Sequence, residues 1–381
     1  MTGPLVVLGA TGSIGKQTLE VAANLGLEVA ALAARMPSPE LVELAKRYPG
    51  ATIIVAGGST EEREQLSATL GRPVRYGSES VLEAAAAPGS IVVNGIVGAA
   101  GLRATVAALE AGNRVALANK ESLVAGGPVV RAALERHGGD LLPVDSEHSA
   151  LYQCLVGESI DDVSRLILTA SGGPFRGRTR DSLLGVTPEE ALRHPTWDMG
   201  PRITIDSATM FNKGLEIIEA HYLFGVSYDR IAVVVHPQSI LHSAVEFLDG
   251  SWKGHLGHPD MRVPIQYALT APDRVTSLAD PFTLTGLRLD FEALDRDAFP
   301  AIDIAYEAGR AGGSAPAVMN AADEIAVEAF LQRRLGFTGI AEVVERTLEE
   351  VEWTEVGTVD DVVAVDAEAR AVAAGFIAGV C

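Results

Sequence analysis

The first third of the chain alternates apolar runs with segments whose apolar residues recur at helical spacing. The runs include PLVVLG at 4–9, LEVAALAA at 27–34 and SIVVNGIVG at 90–98, and each precedes an amphipathic segment. Strands with few polar interruptions are typical of a parallel sheet that helices cover on both faces. The pattern predicts an α/β fold with a Rossmann-type doubly wound parallel sheet over residues 1–144.

The pattern changes after residue 165. RLILTASGGPF at 165–175 and RITID at 202–206 look like strands, and Asp249-Gly250 separates two further strand-like runs. Asp-Gly between two such runs is a strong signal of a β-hairpin. The predicted organisation continues with an α+β domain, a connection rich in Pro and Asp, and an acidic C-terminal helical domain, at 145–270, 271–300 and 301–381.

The composition narrows the class of protein. With 381 residues and 48% hydrophobic content, the chain can form two or three domains with large cores. Its net charge of −20 argues against binding a nucleic-acid backbone over a broad surface, although a local basic pocket can still hold a small anion. Cys154 and Cys381 cannot build a disulfide framework or a cysteine metal site. No apolar run reaches membrane-spanning length and the first residues lack a signal-peptide pattern, so we expect a cytoplasmic protein with no membrane partner.

Three glycines, Gly9, Gly12 and Gly15, lie between the first predicted strand and the first predicted helix. Glycine at this spacing allows a tight turn and lets backbone N–H groups approach a pyrophosphate at the helix N-terminus. We therefore predict a dinucleotide site here. The alternative is a strand-to-helix turn without a ligand.

The residues after the second predicted strand bear on the kind of dinucleotide. NAD-specific folds usually carry an acidic residue there, about 20 residues after the glycines, to bind the ribose hydroxyls. This chain has Arg35 instead, and no carboxylate before Glu40. Because Arg35 could meet a 2′-phosphate, NADP is favoured. The alternative is an exposed surface arginine.

Two carboxylates, Asp145 and Glu147, follow another apolar run. In an extended segment positions i and i+2 face the same way, so both could bind one hard cation such as Mg²⁺ or Mn²⁺. Taken alone, the pair fits a solvated strand end better. Glu216 is a candidate third ligand, and Glu219 is an alternative for the same position.

Polar residues that suit a monophosphate follow two further predicted strands. The Ser-Gly-Gly turn at 171–173 can bind an anion through N–H and hydroxyl groups. Ser207, Asn212 and Lys213 add a hydroxyl, an amide and an ammonium. Singly, each would be expected as a helix cap or a surface residue; together they predict a phosphate pocket.

A short segment bounded by Pro and Gly, HPTWDMGP at 194–201, lies between these elements. It carries His194, Trp197 and Met199 and is typical of a lid that excludes water from a site. The alternative is a packed surface loop whose tryptophan belongs to the core.

Six motifs, in chain order, are similar to those of one enzyme family, the 1-deoxy-D-xylulose 5-phosphate reductoisomerases. They are GATGSIG, ALANKESLV, PVDSEHSA, TASGGPFR, HPTWDMG and IDSATMFNKGLE. The resemblance covers essentially the whole chain. It implies an NADPH-binding Rossmann domain, a catalytic and dimerisation α+β domain and a C-terminal helical domain, assembled as a homodimer.

The resemblance also implies roles for single residues. Those implied to bind NADPH are Thr11, Gly12, Ser13, Ile14, Asn119, Glu121 and Gly200. Those implied to hold a divalent metal are Asp145, Glu147 and Glu216. Those implied to bind the substrate are Lys120, Ser146, Glu147, Ser171, His194, Ser207, Asn212, Lys213 and Glu216, and the candidates for catalysis among them are Lys120, Glu147 and His194. Family members usually carry a Gly and an Asn after the second strand, where this chain has ARMPS, so the role of Arg35 is inferred from this sequence alone.

The implied activity converts 1-deoxy-D-xylulose 5-phosphate, a small phosphorylated keto sugar, to 2-C-methyl-D-erythritol 4-phosphate in non-mevalonate isoprenoid precursor biosynthesis. A skeletal rearrangement is followed by reduction with NADPH, and the metal is Mg²⁺ or Mn²⁺, with Co²⁺ as a further candidate. One alternative is another Rossmann-fold NADP-dependent reductase of a small phosphorylated or carboxylated carbonyl compound. An acyl-transfer enzyme of that kind would need a thiol, but Cys154 lies in an apolar, helix-like stretch typical of a core.

Two further alternatives belong to other classes. A dinucleotide sensor would bind NADPH without turnover of the keto sugar. A zinc site could form from His242, His255 and His258 in and after the predicted hairpin, although structural or surface roles are the expectation for such histidines.

Overall fold

The computed structural model describes residues 3–197 and 199–380. Cys381, considered above with Cys154, therefore lies outside the described residues. The chain folds into two compact units, each built from separate segments. Unit 1 contains the described parts of Met1–Ser122, Val130–Ser149 and Asp260–Asp280, and unit 2 contains those of Leu123–Val129, Ala150–Pro259 and Pro281–Cys381. The domain boundaries expected from the sequence stay a prediction.

Unit 1 is organised around a parallel sheet of seven strands. The strands are Leu5–Leu8 (β1), Val29–Ala34 (β2), Thr52–Val55 (β3), Arg75–Tyr76 (β4), Ile91–Asn94 (β5), Arg114–Leu117 (β6) and Asp140–Pro143 (β7). They lie in the order β4-β3-β2-β1-β5-β6-β7, and all neighbours are parallel. The winding reverses between β1 and β5, the position where such sheets bind ligands at the carboxyl ends of their strands.

The α-helices of the described residues are as follows, in chain order. They are Ser13–Leu25 (α1), Pro39–Arg47 (α2), Thr60–Leu70 (α3), Ser78–Ala85 (α4), Leu102–Glu110 (α5), Glu121–His137 (α6), Ser146–Leu155 (α7), Arg180–Leu183 (α8), Pro188–Ala191 (α9), Pro201–Thr209 (α10), Phe211–Phe224 (α11), Arg262–Thr270 (α12), Ala301–Ala311 (α13), Ala315–Leu331 (α14), Gly339–Glu350 (α15) and Val359–Val380 (α16). Short 3₁₀ turns occur at Ala99–Gly101, Ile160–Asp162 and Tyr228–Arg230. None of these described helices has the length and apolar character needed to cross a membrane.

The strands of unit 1 are buried because helices pack on the sheet. Every residue of β1, β5 and β6 is buried, and α1, α4 and α5 pack against β1 and β5. This explains the nearly continuous apolar runs of the sequence. The predicted fold class, a doubly wound parallel sheet followed by an α+β region and helices, is confirmed.

Unit 2 contains a mixed sheet of four strands in the order β11-β10-β8-β9. The strands are Val163–Ala170 (β8), Ile231–Val235 (β9), Leu241–Phe247 (β10) and Trp252–Leu256 (β11). β10 and β11 form the predicted antiparallel hairpin, with Gly250 in its turn at a φ of +83°. Positive φ is the reason that a glycine is favoured there.

The core of unit 2 joins this sheet to the C-terminal helices. Leu166 and Leu168 of β8, Phe211 of α11, Phe330 of α14 and Val344 of α15 belong to one cluster of buried apolar side chains. Between α12 and α13 the chain forms neither helix nor strand, apart from a bridge of Val235 with Glu292. The C-terminal helices and the second sheet therefore contribute side chains to one shared apolar cluster.

One segment predicted as a strand is helical. RITID at 202–206 belongs to α10, which begins at Pro201. Its buried residues are Thr204, Ile205, Asp206, Ala208 and Thr209. Ile205, Ala208 and Thr209 have a helical spacing, which the alternation of Ile203 with Ile205 hides in the sequence. Ser207 consequently lies on a helix, not after a strand.

Candidate active site

The glycine turn of unit 1 lies between β1 and α1 and cannot accept larger residues. A Cβ on Gly9, whose φ is +82°, would lie 2.5 Å from the carbonyl oxygen of Gly95. A Cβ on Gly15 would lie 2.4 Å from the carbonyl oxygen of Gly9. Close backbone packing of this kind brings the N-terminus of α1 to the carboxyl end of β1, where a pyrophosphate binds in dinucleotide folds.

The predicted phosphate contacts occupy the open side of this turn. Gly12 is the residue before α1 and provides no side-chain cap to its first N–H groups. Gly12 and Ser13 are exposed, and Thr11 and Ile14 are half-buried. The helix N-terminus is therefore accessible to an anion, and the role of these four residues in binding NADPH stays a prediction.

Arg35 directly follows β2 and is exposed. The first carboxylate after it, Glu40, lies in the first turn of α2, whose N-cap is the hydroxyl of Ser38. Backbone and Ser38 hydrogen bonds lower the pKa of Glu40, so it is a carboxylate bound to its own helix end. The end of β2 thus presents a guanidinium where NAD-specific folds present an acid.

A buried polar network lies after β5 and β6. Nδ2 of Asn119 donates to the carbonyl oxygen of Gly98 at 2.9 Å and to Oε2 of Glu121 at 2.8 Å. Oδ1 of Asn119 accepts the backbone N–H of Ser122 at 3.1 Å, and Oε1 of Glu121 accepts that of Gly98 at 3.2 Å. Asn94 extends the network through the carbonyl oxygen of Gly101 at 2.9 Å. Asn119 and Glu121, predicted as cofactor contacts, therefore hold the loop that follows β5.

Lys120, between these two residues, forms a buried ion pair with Asp145. Nζ of Lys120 lies 2.5 Å from Oδ2 of Asp145, and Nδ1 of His148 lies 3.9 Å from Oδ1. Burial by itself raises the pKa of Asp145, but the charge of Lys120 and the contact with His148 outweigh it and hold this pKa well below its usual range. Asp145 is therefore a carboxylate at neutral pH.

Asp145 and Glu147 are not in the extended segment that the sequence suggested. β7 ends at Pro143, and α7 begins at Ser146. The backbone N–H of Ser149 donates to the carbonyl oxygen of Asp145 at 2.8 Å, so the chain is already helical. The argument from strand alternation was wrong here, because Glu147 lies in the first helical turn.

Ser146 and Glu147 contact each other at the start of α7. Oγ of Ser146 donates to Oε2 of Glu147 at 2.6 Å, and both side chains are half-buried. A carboxylate in the first turn is stabilised by the helix dipole. His148 was not among the residues predicted from the sequence. Had the start of α7 been recognised, His148 would have been expected one helical turn after Asp145 and close to it.

In unit 2, Ser171 and His194 form a hydrogen-bonded pair. Oγ of Ser171 lies 3.0 Å from Nε2 of His194 and accepts the backbone N–H of Gly173 at 3.2 Å. Nδ1 of His194 accepts the backbone N–H groups of Thr196 at 3.1 Å and Trp197 at 2.9 Å. Nδ1 therefore carries no proton, and the neutral ring donates from Nε2 to Ser171. Since Ser171 accepts two hydrogen bonds, its own O–H is directed elsewhere.

Burial lowers the pKa of His194, which keeps the ring neutral at pH 7. The two backbone N–H groups that bind its Nδ1 belong to the predicted lid, so ring and lid backbone are connected. Trp197 and Met199 of that segment are half-buried and Gly200 is exposed, while Asp198 lies outside the described residues.

The last turn of α10 and the 171–173 turn are packed backbone to backbone. A Cβ on Gly173, whose φ is +65°, would lie 2.8 Å from the carbonyl oxygen of Ser207. Ser207 itself is half-buried. The structure thus brings Ser171, His194 and the backbone of Ser207 close together, and the phosphate pocket expected from the sequence stays a prediction.

Glu216 lies one turn after Asn212 and Lys213 on α11. Nδ2 of Asn212 donates to Oε1 of Glu216 at 2.5 Å, and Nζ of Lys213 contacts Oε2. Lys213 and Glu216 are 4% and 1% exposed, so the ammonium offsets the burial of the carboxylate. Three predicted site residues thus share one helix face.

The alternative zinc ligands lie on or near the hairpin. The rings of His242 and His255 are 5.8 Å apart, and His258 packs edge-on against Phe282. In the part of the chain that the structure describes, none of these histidines joins a group of three possible metal ligands. Cys154 is buried in the apolar core of unit 2, which does not suit a nucleophilic thiol.

Three family models match the chain in succession. The model described as 1-deoxy-D-xylulose 5-phosphate reductoisomerase matches residues 5–127. The model of that enzyme's C-terminal domain matches residues 141–224, and the model described as DXP reductoisomerase C-terminal domain matches residues 256–372.

Curated proteins named 1-deoxy-D-xylulose 5-phosphate reductoisomerase are similar over nearly the full length. One from Geobacillus sp. (strain WCH70) is 49% identical over 369 residues, which are 96% of this chain and 97% of the relative. One from Ralstonia nicotianae is 48% identical over an alignment of 387 positions that covers 99% of this chain and 98% of the relative.

Solved structures of the same enzyme share the fold. The enzyme from Zymomonas mobilis in complex with NADPH is 44% identical, with a TM-score of 0.91 over 99% of each chain. A DOX-P reductoisomerase in complex with NADPH, fosmidomycin and magnesium is 38% identical, with a TM-score of 0.91 over 98% of each chain.

Proposed function

This chain belongs to the 1-deoxy-D-xylulose 5-phosphate reductoisomerase family, and on that basis we propose that it converts 1-deoxy-D-xylulose 5-phosphate to 2-C-methyl-D-erythritol 4-phosphate. It is an NADP-dependent oxidoreductase that uses NADPH and a divalent metal ion. The observation in this chain that carries the proposal is the buried pair of Lys120 with an ionised Asp145, two residues before Glu147. The ammonium of Lys120 and the carboxylates of Asp145 and Glu147 are groups that can bind a substrate with oxygens on neighbouring carbons.

The residues of unit 1 fit NADPH. The backbone of Thr11, Gly12, Ser13 and Ile14 would bind the pyrophosphate at the start of α1, because Gly12 leaves the first N–H groups of this helix without a side-chain cap. Arg35 would bind the 2′-phosphate. NADPH, when bound, supplies the hydride for the reduction.

The carboxylates fit a divalent cation such as Mg²⁺. We assign Asp145, Glu147 and Glu216 as its ligands; all are oxygen donors, and the low pKa of Asp145 keeps that residue charged at neutral pH. The ion, when bound, would act as a Lewis acid on substrate oxygens. A magnesium complex of a relative 36% identical to this chain supports the assignment.

The polar groups of unit 2 fit the substrate phosphate. The O–H of Ser171, which is not used within the pair with His194, would donate to a phosphate oxygen, together with Ser207, Asn212 and Lys213. His194 would orient Ser171 through Nε2 and connect it to the segment at 194–200. Binding of this remote group would use its energy to fix the reacting carbons.

Lys120 would lie at the reacting end of the substrate, with Ser146 and Glu147. Its ammonium would stabilise negative charge that develops on a substrate oxygen during the rearrangement. Asn119 and Glu121 would set its position through the network after β5 and β6.

The decisive experiment follows NADPH oxidation with 1-deoxy-D-xylulose 5-phosphate, with and without Mg²⁺. We expect turnover that requires both the keto sugar and the metal. Activity that survives EDTA would instead indicate a metal-free reductase, and NADPH binding without turnover would indicate a sensor.

Glu216→Gln should abolish turnover and keep NADPH affinity; full activity in this variant would remove Glu216 from the metal ligands.

We further propose a homodimer with a cytoplasmic location. β11 is a sheet edge of unit 2, and Trp252 on it is 54% exposed, with Leu248 of the hairpin 70% exposed. An open strand edge with exposed apolar side chains favours pairing with a second chain. Sedimentation of Trp252→Lys should show a shift toward monomer, whereas a monomeric wild-type protein would contradict the proposal.

A further inference from the structure

Arg202 lies in the first turn of α10, on the same helix as Ser207 and directly after the segment at 194–200. None of the roles considered so far involves it. Its side chain is 20% exposed, so the guanidinium is largely withdrawn from solvent and directed toward other helices of unit 2.

The guanidinium of Arg202 connects α10 to α14. Nη1 donates to Oε1 of Glu324 at 2.9 Å, and Nη2 donates to Oδ1 of Asn320 at 3.2 Å. Nε lies 3.5 Å from Oδ2 of Asp206 on its own helix. Asn320 and Asp206 are buried, so these contacts are formed away from water, where they are strong.

The carboxyl group of Asp323 also supports the connection between α10 and α14. Asp323 of α14 is fully buried, and its Oδ2 lies 3.8 Å from Nη2 of Arg202. Burial raises the pKa of Asp323, and the charge of Asp206 raises it further, well above its usual range. Burial therefore favours the protonated form of Asp323, which lessens its repulsion with Asp206 between α14 and α10.

Glu324 also binds a second arginine, from α16. Nη2 of Arg370 lies 2.6 Å from Oε2 of Glu324, and Nε lies 2.6 Å from Oδ2 of Asp366. Arg202 and Arg370 thus share the carboxylate of Glu324, but only Arg202 connects this carboxylate to α10. Arg370 is consequently a matched control for Arg202.

We propose that Arg202 is a positioning residue for the substrate phosphate: it fixes α10 on α14 and thereby sets the distance from Ser207 to the 171–173 turn. The backbone of Gly173 packs closely on Ser207, since even a Cβ on Gly173 would lie 2.8 Å from the carbonyl oxygen of Ser207, so a displaced α10 changes this spacing directly. The inference rests on the proposed function, because the role of Ser207 belongs to it.

The test compares Arg202→Met with Arg370→Met in the full chain, by KM and kcat for 1-deoxy-D-xylulose 5-phosphate, the NADPH dissociation constant and the unfolding temperature. Arg202→Met should raise KM for the keto sugar by about tenfold, the effect of about 1.4 kcal/mol, and leave NADPH binding unchanged. Arg370→Met should lower the unfolding temperature as much and leave KM unchanged. Arg202→Lys keeps the positive charge and should therefore show a smaller rise in KM than Arg202→Met.

Unchanged KM in Arg202→Met together with a lower unfolding temperature would overturn the inference, since the arginine would then be merely structural. If Arg202→Met does not fold, Asn320→Ala removes one acceptor of the same guanidinium and should raise KM in the same direction; an unchanged KM there also overturns the inference. Failure of the proposed function is distinct, because wild-type protein would then show no metal-dependent turnover in the same assay.

Discussion

Nζ of Lys120 lies 2.5 Å from Oδ2 of Asp145, and the two side chains are 8% and 10% exposed. Burial alone would favour the protonated form of Asp145, so the carboxylate depends on its cationic neighbour. The pair therefore links the charge of a candidate metal ligand to the position of a candidate catalytic ammonium.

Lys120→Met should lower the free energy of unfolding by about 3–5 kcal/mol at neutral pH, because it leaves a buried carboxylate without its partner. Because the pKa of Asp145 is lowered on folding, its ionisation stabilises the fold at pH values above about 3.9, the pKa in the unfolded chain. This stabilisation is lost as the pH falls through the folded pKa. The deficit should therefore shrink in acid. Urea unfolding at two pH values measures it.

The control is Lys253→Met, which removes an exposed contact with Glu158. Exposed pairs contribute about 0–1 kcal/mol, so this variant should remain close to wild type. Equal destabilisation by the two substitutions would contradict the importance of burial at Lys120.

Gly15→Ala should weaken NADPH binding by more than about tenfold, since its Cβ would lie 2.4 Å from the carbonyl oxygen of Gly9 and displace the turn. Gly375→Ala in α16 is the control, because nothing lies within 4 Å of its Cβ position. That change should leave binding intact and stabilise the helix by up to about 1 kcal/mol. Fluorescence titration with NADPH distinguishes the two, and normal binding by Gly15→Ala would argue against a dinucleotide at this turn.

Arg35→Ala should reduce the preference for NADPH over NADH by about 10–100-fold, the value of a hydrogen bond to a charged group of about 1.5–3 kcal/mol. The exposed Arg47 of the same unit provides the control Arg47→Ala, which should keep the preference. Steady-state kinetics with both cofactors measures the ratio. An unchanged ratio in Arg35→Ala would mean that another group binds the 2′-phosphate.

Asn119→Ala should lower both stability and NADPH affinity, because it removes the side-chain donor to the carbonyl oxygen of Gly98 and releases the loop after β5. Asn113→Ala is matched in chemistry: Asn113 is also buried and donates to the carbonyl oxygens of Ala85 and Ala87, both at 2.9 Å. Asn113 lies before β6 and Asn119 after it. We expect similar losses of stability, with weaker NADPH binding in Asn119→Ala alone. Equal NADPH affinities would assign Asn119 a purely structural role.

His194→Asn should flatten the pH dependence of stability below pH 7. The lowered pKa of His194 means that the unfolded chain takes up a proton first as pH falls below about 6.5. The wild type therefore loses stability down to the folded pKa, whereas Asn can still accept the N–H groups of Thr196 and Trp197 without titrating. Unfolding measured across this range tests the point, and parallel curves for both proteins would show that another group titrates.

Several features follow from short-range patterns and were predicted without the structure. The glycine turn at Gly9, the buried parallel strands and the hairpin at Gly250 each depend on residues close in sequence, because a positive φ or a continuous apolar run restricts the backbone locally. The turn at 171–173 with Ser207, Asn212 and Lys213 indicated a phosphate pocket, and the segment at 194–201 a lid; both stay predictions.

Other features were mispredicted for an equally local reason. Alternating Ile203 and Ile205 resemble a strand, but the burial of Thr204, Ile205 and Ala208 against neighbouring helices stabilises α10 instead. Asp145 and Glu147 were likewise predicted to lie in an extended segment, but α7 begins at Ser146, two residues earlier than strand alternation assumed. Propensity is weak compared with packing in both segments.

The sequence by itself determined the fold class, the dinucleotide turn and the residue types of the site, since these depend on local backbone geometry and on side-chain chemistry. The tertiary structure decided which groups are paired: Lys120 with Asp145, Ser171 with His194, and Arg202 with Glu324. The partners in each pair are far apart along the chain. Their distances, burial and protonation depend on how whole elements pack, and no local pattern contains that information.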